Sequence, residues 1–177
     1  MRLKVADRFC PGLCDALIDR SDSAALLERV EQAHLFLVPL DPRGEWYRYH
    51  HLFADVLREE LHRVEPGVVA QLHRRAADWF AEHDLPLDAV HHALAGGDTA
   101  RAAELVIVYG PAVARQGYAD TALGWLHTLG EDAWSDVRLC LAGMTVAGLA
   151  SRTAELARWT HLTQAAAARS DLEADLA

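Results

Sequence analysis

The stretch Leu35–Leu61, LFLVPLDPRGEWYRYHHLFADVLREEL, decides the fold, because it predicts a β-hairpin followed directly by an amphipathic helix. The apolar segment Leu35–Leu40 forms the first strand, and the aromatic segment Trp46–Tyr49 forms the second. Between them, Asp41–Gly44 places proline at the second and glycine at the fourth position of a β-turn, where both are favoured. Pro39 has no N–H group to donate, which indicates an edge strand.

Helices are predicted on both sides of the hairpin. After it, apolar residues recur at helical spacing until Pro66 and Gly67 end the helix. Before it, the segment Asp7–Ile18 and a helix capped within Ser21–Ser23 supply two more. The apolar positions of the helix after the hairpin are Leu52, Phe53, Val56, Leu57 and Leu61. Helix, strand, turn, strand and helix within about 50 residues predict a winged-helix-like domain at residues 1–65.

From residue 66 onward the pattern changes to helix pairs separated by short glycine-containing breaks. Gly110 and Pro111 are predicted to interrupt a helix that Asp98 caps. Further helices are predicted at Thr121–Leu129, Ser135–Leu149 and Thr153–Arg169, with small residues for close helix approach at Gly143, Ala147 and Gly148. Residues 66–177 therefore predict a tetratricopeptide-like α-solenoid, although the strict 34-residue signature is not visible. The fold class is mainly α.

Charge and motifs exclude several functions for the segment itself. The chain of 177 residues has 17 basic and 26 acidic residues, a net charge of −9, which opposes attraction to nucleic-acid phosphates. No Walker A motif occurs, and Lys4 is the only lysine, so we expect no ATPase activity and no cofactor in this chain. No nucleophile elbow or zinc-protease motif occurs either, and we predict no catalytic residue and no enzyme.

The three cysteines Cys10, Cys14 and Cys140 come without a signal peptide or a long apolar run. The chain is therefore predicted to be cytoplasmic, with no membrane partner. Cys10 and Cys14 could form half of a metal site, because residues four apart on a helix can share a ligand. Pro11 and Gly12 disfavour that geometry, and buried thiols are the alternative, so no metal is predicted.

A family resemblance is carried by several runs in combination. They are Asp7–Cys10 (DRFC), Leu26–Glu28 (LLE), Leu35–Asp41 (LFLVPLD), Trp46–His50 (WYRYH), Leu72–Phe80 (LHRRAADWF), Ala89–Leu94 (AVHHAL) and Ala102–Leu105 (AAEL). With these runs the chain resembles the large ATP-binding LuxR-family transcription regulators of the maltose-regulon activator type. The resemblance implies a P-loop NTPase, a winged helix, a helical-repeat sensor and a DNA-binding helix-turn-helix in that order. Because the P-loop NTPase and the helix-turn-helix are absent from this sequence, we expect a fragment of that architecture.

His50 is the candidate functional residue. A histidine at the start of a helix can donate to an anion that the helix's free N–H groups also hold. The resemblance implies more: in related NTPases the equivalent winged-helix histidine contacts the β-phosphate of ADP, so ATP and ADP are implied for the full architecture. In the Met-His-Asp motif of such relatives, Asp or Pro usually follows the histidine, and His51 stands at that position in this chain. The alternative is that His50 is a packed, hydrogen-bonded structural residue.

Other chemistry-bearing residues have simpler predicted roles. The pair His91 and His92 is assigned to helix packing and solvent, because adjacent helical side chains diverge by about 100°. Arg74 and Arg75 are assigned to a solvated helix face, with contact to a phosphate or a neighbouring domain as the alternative. Four tryptophans are expected in the core, with an effector surface as the alternative; they are Trp79, Trp125, Trp134 and Trp159.

Two functions follow from the sequence. The first is a regulatory and sensor fragment of a signal-dependent, ATP-dependent transcriptional regulator. Its implied partners are an NTPase domain or another protein, and a small-molecule inducer on the repeat domain. The second is a freestanding helical-repeat scaffold for protein–protein interaction. Self-association of the segment is a further expectation, because solenoid ends expose apolar surface.

Overall fold

A computed structural model describes residues 5–33 and 36–175. The chain forms two compact units, which meet in sequence at Asp84 and Leu85 and are called unit 1 and unit 2 below. Unit 1 contains helices α1 (Pro11–Ile18), α2 (Ser23–Gln32), α3 (His51–Val64) and α4 (Pro66–Glu82), and strands β1 (Leu37–Pro39) and β2 (Tyr47–Tyr49). Unit 2 contains helices α5 (Pro86–Ala95), α6 (Thr99–Val113), α7 (Ala119–Leu129), α8 (Val137–Leu149) and α9 (Thr153–Asp175). The predicted fold class, mainly α with one hairpin followed by helices, is confirmed.

The hairpin is antiparallel and short. Leu37 pairs with Tyr49 and Pro39 with Tyr47, and the N–H of Leu40 donates to the carbonyl of Trp46 at 2.8 Å. Phe9 bridges Tyr47 on the other side of β2. Within the described residues β1 therefore lies at an edge, which is where Pro39 was predicted. Leu35, assigned to this strand from the sequence, lies outside the described residues.

The hairpin turn is organised by the carboxylate of Asp41. Its Oδ1 accepts from the N–H groups of Arg43 at 2.9 Å and Glu45 at 3.1 Å, and its Oδ2 accepts from Trp46 at 2.7 Å. Hydrogen bonds from the Glu45 and Trp46 N–H groups hold the pKa of Asp41 below its ordinary value. Gly44 adopts φ +66°, a conformation that glycine reaches without strain.

We expect Asp41→Asn to lower the urea midpoint of unfolding at pH 7 and to flatten its decline in acid. Because the pKa of Asp41 is lower in the folded than in the unfolded state, its contribution is present above about pH 4. That contribution disappears as the pH falls through the folded-state pKa. Glu45→Gln is the matched control, since among the described residues the one ion-pair partner of this exposed carboxylate is Arg43, at 3.9 Å. Equal acid dependence of the midpoint in all three proteins would contradict this role for Asp41.

The first two helices differ in detail from their predictions. α1 begins at Pro11 rather than Asp7, because Phe9 is extended and paired with β2. Asp22 is the N-cap of α2 but makes no capping bond, since both of its oxygens bind Arg20, at 2.6 and 2.7 Å. The cap comes instead from Asp15 of α1, whose Oδ1 accepts from the N–H of Ser23 at 3.1 Å.

The core of unit 1 forms between α1, α4 and the hairpin. Its fully buried large side chains are Phe9, Leu13, Leu17, Leu61 and Phe80. Trp46 of the hairpin stacks parallel to Phe80, with ring centroids 6.4 Å apart, and meets Trp79 edge to face at 6.1 Å. Since α4 thus packs on α1 and the hairpin, it lies within unit 1. The boundary between residues 65 and 66, which the sequence analysis placed between the winged-helix-like domain and the helical segment, stays a prediction.

The helix after the hairpin, α3, buries only part of the apolar set that was predicted. Ala54 and Leu61 are buried, whereas Val56 is 60% exposed. Val56 lies about 200° around the helix from Ala54, so it faces away from the core. The side chain of Leu52 lies outside the described residues.

Unit 2 is built from stacked neighbouring helices. Each of α5 to α8 packs on the helix that follows it, and α8 also packs on α6. The predicted interruption at Gly110 and Pro111 is wrong: α6 continues through both to Val113. Gly110 is buried against Val106 and Val146, where a Cβ atom would lie 3.5 and 3.8 Å from their methyl groups. The chain kinks instead at Gly117, with φ +98°.

The core of unit 2 depends on a close approach between α8 and α9. Trp159 is fully buried, and its ring lies over Gly143, where a Cβ atom would be 2.5 Å from Cδ2. The predicted role of Gly143 in close helix packing thus holds. Gly148 was assigned the same role, but it is exposed and a Cβ atom there would meet nothing within 4 Å.

We expect Gly143→Ala to lower the free energy of unfolding by about 1–3 kcal/mol, because the added methyl group overlaps the Trp159 ring. Gly148→Ala in the same helix is the matched control. It is expected to leave stability unchanged or raise it by up to about 1 kcal/mol, since alanine restricts the unfolded chain more. Urea titration followed by tryptophan fluorescence measures both. Equal stability of the two variants would contradict this packing.

Candidate functional site

The start of α3 places His50 at the end of the hairpin. His50 is the N-cap residue, with φ −55° and ψ 135°. Its N–H donates to the carbonyl of Phe36 at 2.8 Å, and its carbonyl accepts from Ala54 at 2.9 Å. The backbone of His50 is therefore held at both ends, one bond tying it to the hairpin and one to the helix.

The side chain of His50 takes no part in that arrangement. The imidazole makes no capping hydrogen bond and is exposed. It lies beside the ring of His51, with centroids 4.3 Å apart and the planes tilted by 32°. The first turn of α3 contains no acidic residue, so no carboxylate there competes for the positive end of the helix dipole. This geometry can present a ring N–H and the free N–H groups of the first turn to an external anion.

Phe36, next to this junction, was not singled out from the sequence. It adopts φ +56°, which is rare for a bulky residue, and is 57% exposed. Its ring stacks on Phe53 of α3, with centroids 4.8 Å apart, while its carbonyl accepts the His50 bond. No local sequence signal marks a phenylalanine in the left-handed region. Such backbone conformations persist where surrounding contacts enforce them.

Cys14 and Cys140 are buried thiols, and Cys10 is half-buried. Burial raises the pKa of Cys10, and raises the pKa of Cys14 to about 12. Burial likewise raises the pKa of Cys140, whose Sγ donates to the carbonyl of Trp134 at 3.1 Å. Thiols in this state are poor nucleophiles and poor metal ligands. Across residues 5–33 and 36–175, no three histidine, cysteine or acidic side chains are grouped so that they could hold a metal ion.

The remaining singled-out residues serve packing in most cases. Trp125, Trp134 and Trp159 are at least nine-tenths buried, while Trp79 is half-buried. His91 is exposed and His92 is buried. Arg74 is exposed, but Arg75 Nη1 donates to the carbonyl of Leu17 at 3.3 Å and so binds the end of α1. No helix in the described ranges is long and apolar enough to cross a membrane.

These features define the class of protein. A hairpin of two three-residue strands lies between helices and is followed by stacked helices. This arrangement is a winged-helix unit joined to a helical-repeat segment. Residues 1–69 match the family model of the MalT winged helix domain, which supports a MalT-like segment. The resemblance identified in the sequence is thereby confirmed.

The relatives of the chain include two kinds of protein. It is 46% identical to the serine/threonine-protein kinase PknK of Mycobacterium tuberculosis over 102 residues, which are 58% of this chain and 9% of the kinase. It is 31% identical to the HTH-type transcriptional regulator MalT of Vibrio campbellii over 132 residues, 75% of this chain and 15% of the regulator. It is 30% identical to the HTH-type transcriptional regulator MalT of Vibrio cholerae over 142 residues, which are 80% of this chain and 16% of the regulator. The chain thus spans between 9% and 16% of the length of these relatives.

We expect His50→Ala to change the free energy of unfolding by less than about 0.5 kcal/mol, because the exposed ring makes no capping bond. The neighbouring Tyr49→Ala is the contrast, with an expected loss of about 3 kcal/mol. Its ring packs on Phe9 and Phe53, with centroids 4.8 and 5.8 Å apart. Chemical denaturation measures both. A large loss in His50→Ala would instead make His50 a structural residue.

Proposed function

We propose that this chain is a regulatory segment of a signal-dependent, ATP-dependent transcriptional regulator. The winged helix would sense a nucleotide held by an NTPase domain, and the helical segment would take part in sensing an inducer. The observation that carries the proposal is the match of residues 1–69 to the MalT winged helix domain. We place the protein in the cytoplasm on the same ground, and we assign no enzymatic activity to the segment itself.

The relatives support a regulatory role over an output role. One relative is named a serine/threonine-protein kinase and others are named HTH-type transcriptional regulators. A segment common to both kinds of protein is unsuited to be the part that phosphorylates or the part that binds DNA. Control of an attached output domain is a function that both kinds of protein can share.

The charge of the winged helix agrees with this division. Helix α3 follows the hairpin directly. It carries two basic residues, Arg58 and Arg63, against the acidic residues Asp55, Glu59 and Glu60. Arg63 is bound by Glu60 at 2.6 Å. A helix of this charge does not favour contact with phosphates of DNA.

The proposed mechanism is a latch at His50. With ADP in the NTPase domain, the His50 imidazole would donate to the β-phosphate while the first-turn N–H groups of α3 add to the positive potential. Exchange of ADP for ATP would break this contact and free the winged helix. A phosphate contact made in only one state supplies the difference in affinity that a switch requires.

The test is calorimetric titration of ADP and ATP into this chain and into a longer protein with a P-loop NTPase domain ahead of it. We expect binding only in the longer protein. His50→Ala should weaken its ADP affinity by about 10- to 100-fold, the range for loss of a hydrogen bond to a charged group. ATP affinity should change little, and basal transcriptional output should rise.

His51→Ala is the matched control for this experiment. It removes the neighbouring ring but keeps the imidazole of the N-cap residue, so ADP affinity should stay close to that of the unchanged protein. Unchanged ADP affinity together with unchanged basal output in His50→Ala would sink the latch. It would leave a protein-binding helical scaffold as the better description.

A further inference from the structure

A cavity of about 540 Å³ opens on the surface of unit 2 between the segment 131–135 and helix α9. Helix α9 lines it with Arg158, Leu162 and Arg169. The spacing of these three residues places them on one face of the helix, over a length of about 16 Å. The cavity is therefore elongated along α9, and its volume lies in the range of sites that bind small molecules.

The floor of this cavity is held in place by buried contacts. The indole N–H of Trp134 donates to the carbonyl of Leu126 at 3.0 Å, and the Trp134 ring meets the buried ring of Trp159 edge to face, with centroids 5.5 Å apart. Ser135 Oγ donates to the carbonyl of Asp132 at 3.0 Å. The floor is therefore ordered before a ligand binds, which lowers the entropic cost of binding.

Two guanidinium groups lie beside Trp134. That of Arg158 lies over the Trp134 ring, 4.6 Å from the centroid. A guanidinium that stacks through its face keeps its N–H edges free for a carboxylate in bidentate geometry. Burial and Asp136 raise the pKa of Cys140, whereas Arg169 lowers it, so Arg169 lies near this thiol. Since the thiol donates to the Trp134 carbonyl at 3.1 Å, both arginines lie close to the same floor residue.

The segment side of the same cavity carries the opposite charge. Glu131 and Asp132 both line it, and both are exposed. Among the described residues, no ion pair joins either carboxylate to Arg158 or Arg169. A ligand with one sign of charge would be attracted by one pair of side chains and opposed by the other. A ligand that carries both signs of charge has a partner for each pair.

We propose that this cavity binds a small zwitterion, with its carboxylate at the arginines of α9 and its ammonium group at Glu131 and Asp132. A free amino acid and a short peptide share this chemistry. Leu162, which lies between the two arginines along α9, favours an apolar body between the two charges. The binding site stands on unit 2 alone, while its use as the sensor site rests on the proposed function.

The test is calorimetric titration of the full chain with L-leucine, leucyl-leucine and leucyl-leucyl-leucine. We expect at least one to bind, and the tightest of the three distinguishes a free amino acid from a short peptide. N-acetylation of that ligand, or amidation of its carboxyl group, should weaken binding at least about tenfold, as for loss of a hydrogen bond to a charged group. The unmodified ligand should also shift the indole N–H resonance of Trp134 in a ¹⁵N NMR titration.

Arg158→Gln should weaken binding of the unmodified ligand at least about tenfold. In this variant, amidation of the ligand should cost little more, because the partner of the carboxylate has already been removed. Arg115→Gln is the matched control, since it makes the same change at an exposed arginine that does not line the cavity. It should retain full binding, and both variants should keep the far-ultraviolet circular dichroism of the unchanged chain.

Absence of binding by all three zwitterions would overturn the proposal. So would an N-acetylated ligand that binds as tightly as its parent, because the cavity would then be a site for an anion only. The titration contains no nucleotide and needs no NTPase domain, so its failure is distinct from failure of the ADP titration that tests the latch at His50.

Discussion

Pairing at Tyr47 is the interaction on which unit 1 depends. The N–H and carbonyl of Tyr47 both bond to Phe9, at 2.8 and 2.9 Å, while the other edge of its strand faces β1. Its hydroxyl donates to Glu31 of α2 at 3.0 Å. The residues on either side extend the connections: Trp46 packs on α4 and Tyr49 on α3. A strand of three residues thus joins the N-terminal segment, the hairpin and three helices, so loss of its register would separate all of them.

The pairing at Tyr47 also explains which parts of unit 1 could be predicted from the sequence. The hairpin was predictable because proline, glycine and the flanking aromatic residues act locally. The pairing of Phe9 with Tyr47 was not, because it joins residues 38 positions apart and overrides the helical pattern of Asp7–Ile18. The capping residue of α2 could not be predicted for a similar reason. The Asp22 carboxylate binds Arg20, and Asp15 of α1 accepts the capping bond instead.

In unit 2 the errors concern proline and glycine. Pro111 lies within α6 because helix continuation there allows Gly110 to pack closely against Val146. Tertiary packing thus outweighs the local cost of the proline. Gly143 and Gly148 follow the same sequence pattern on one helix, yet only Gly143 lies under Trp159. Which glycine of such a pair is needed depends on the neighbouring helix, and one helix's own sequence does not contain that information.

The residues of the candidate sites also differ in whether a local sequence feature or only a tertiary contact marks them. His50 could be found from the sequence, because its position between a strand and a helix is a local feature that also carries the family resemblance. Its neighbour Phe36 could not, since its left-handed backbone follows from two contacts made together: its carbonyl to His50 and its ring to Phe53. The contact of Arg158 with the Trp134 ring was missed for the same reason, because these residues lie 24 positions apart and meet only in the folded chain.

Under the proposed function, a segment shared by a kinase and by transcriptional regulators would pass a signal through features that do not depend on the output domain. The junction at His50 meets this requirement. A force on the His50 ring acts on a backbone bonded directly to Phe36 in the hairpin and to Ala54 in α3. Because Tyr49, the preceding residue, packs on both Phe9 and Phe53, displacement of the ring would be opposed by the core that Tyr47 organises. The position that would face the anion in the proposed latch is therefore coupled to the strand on which unit 1 depends.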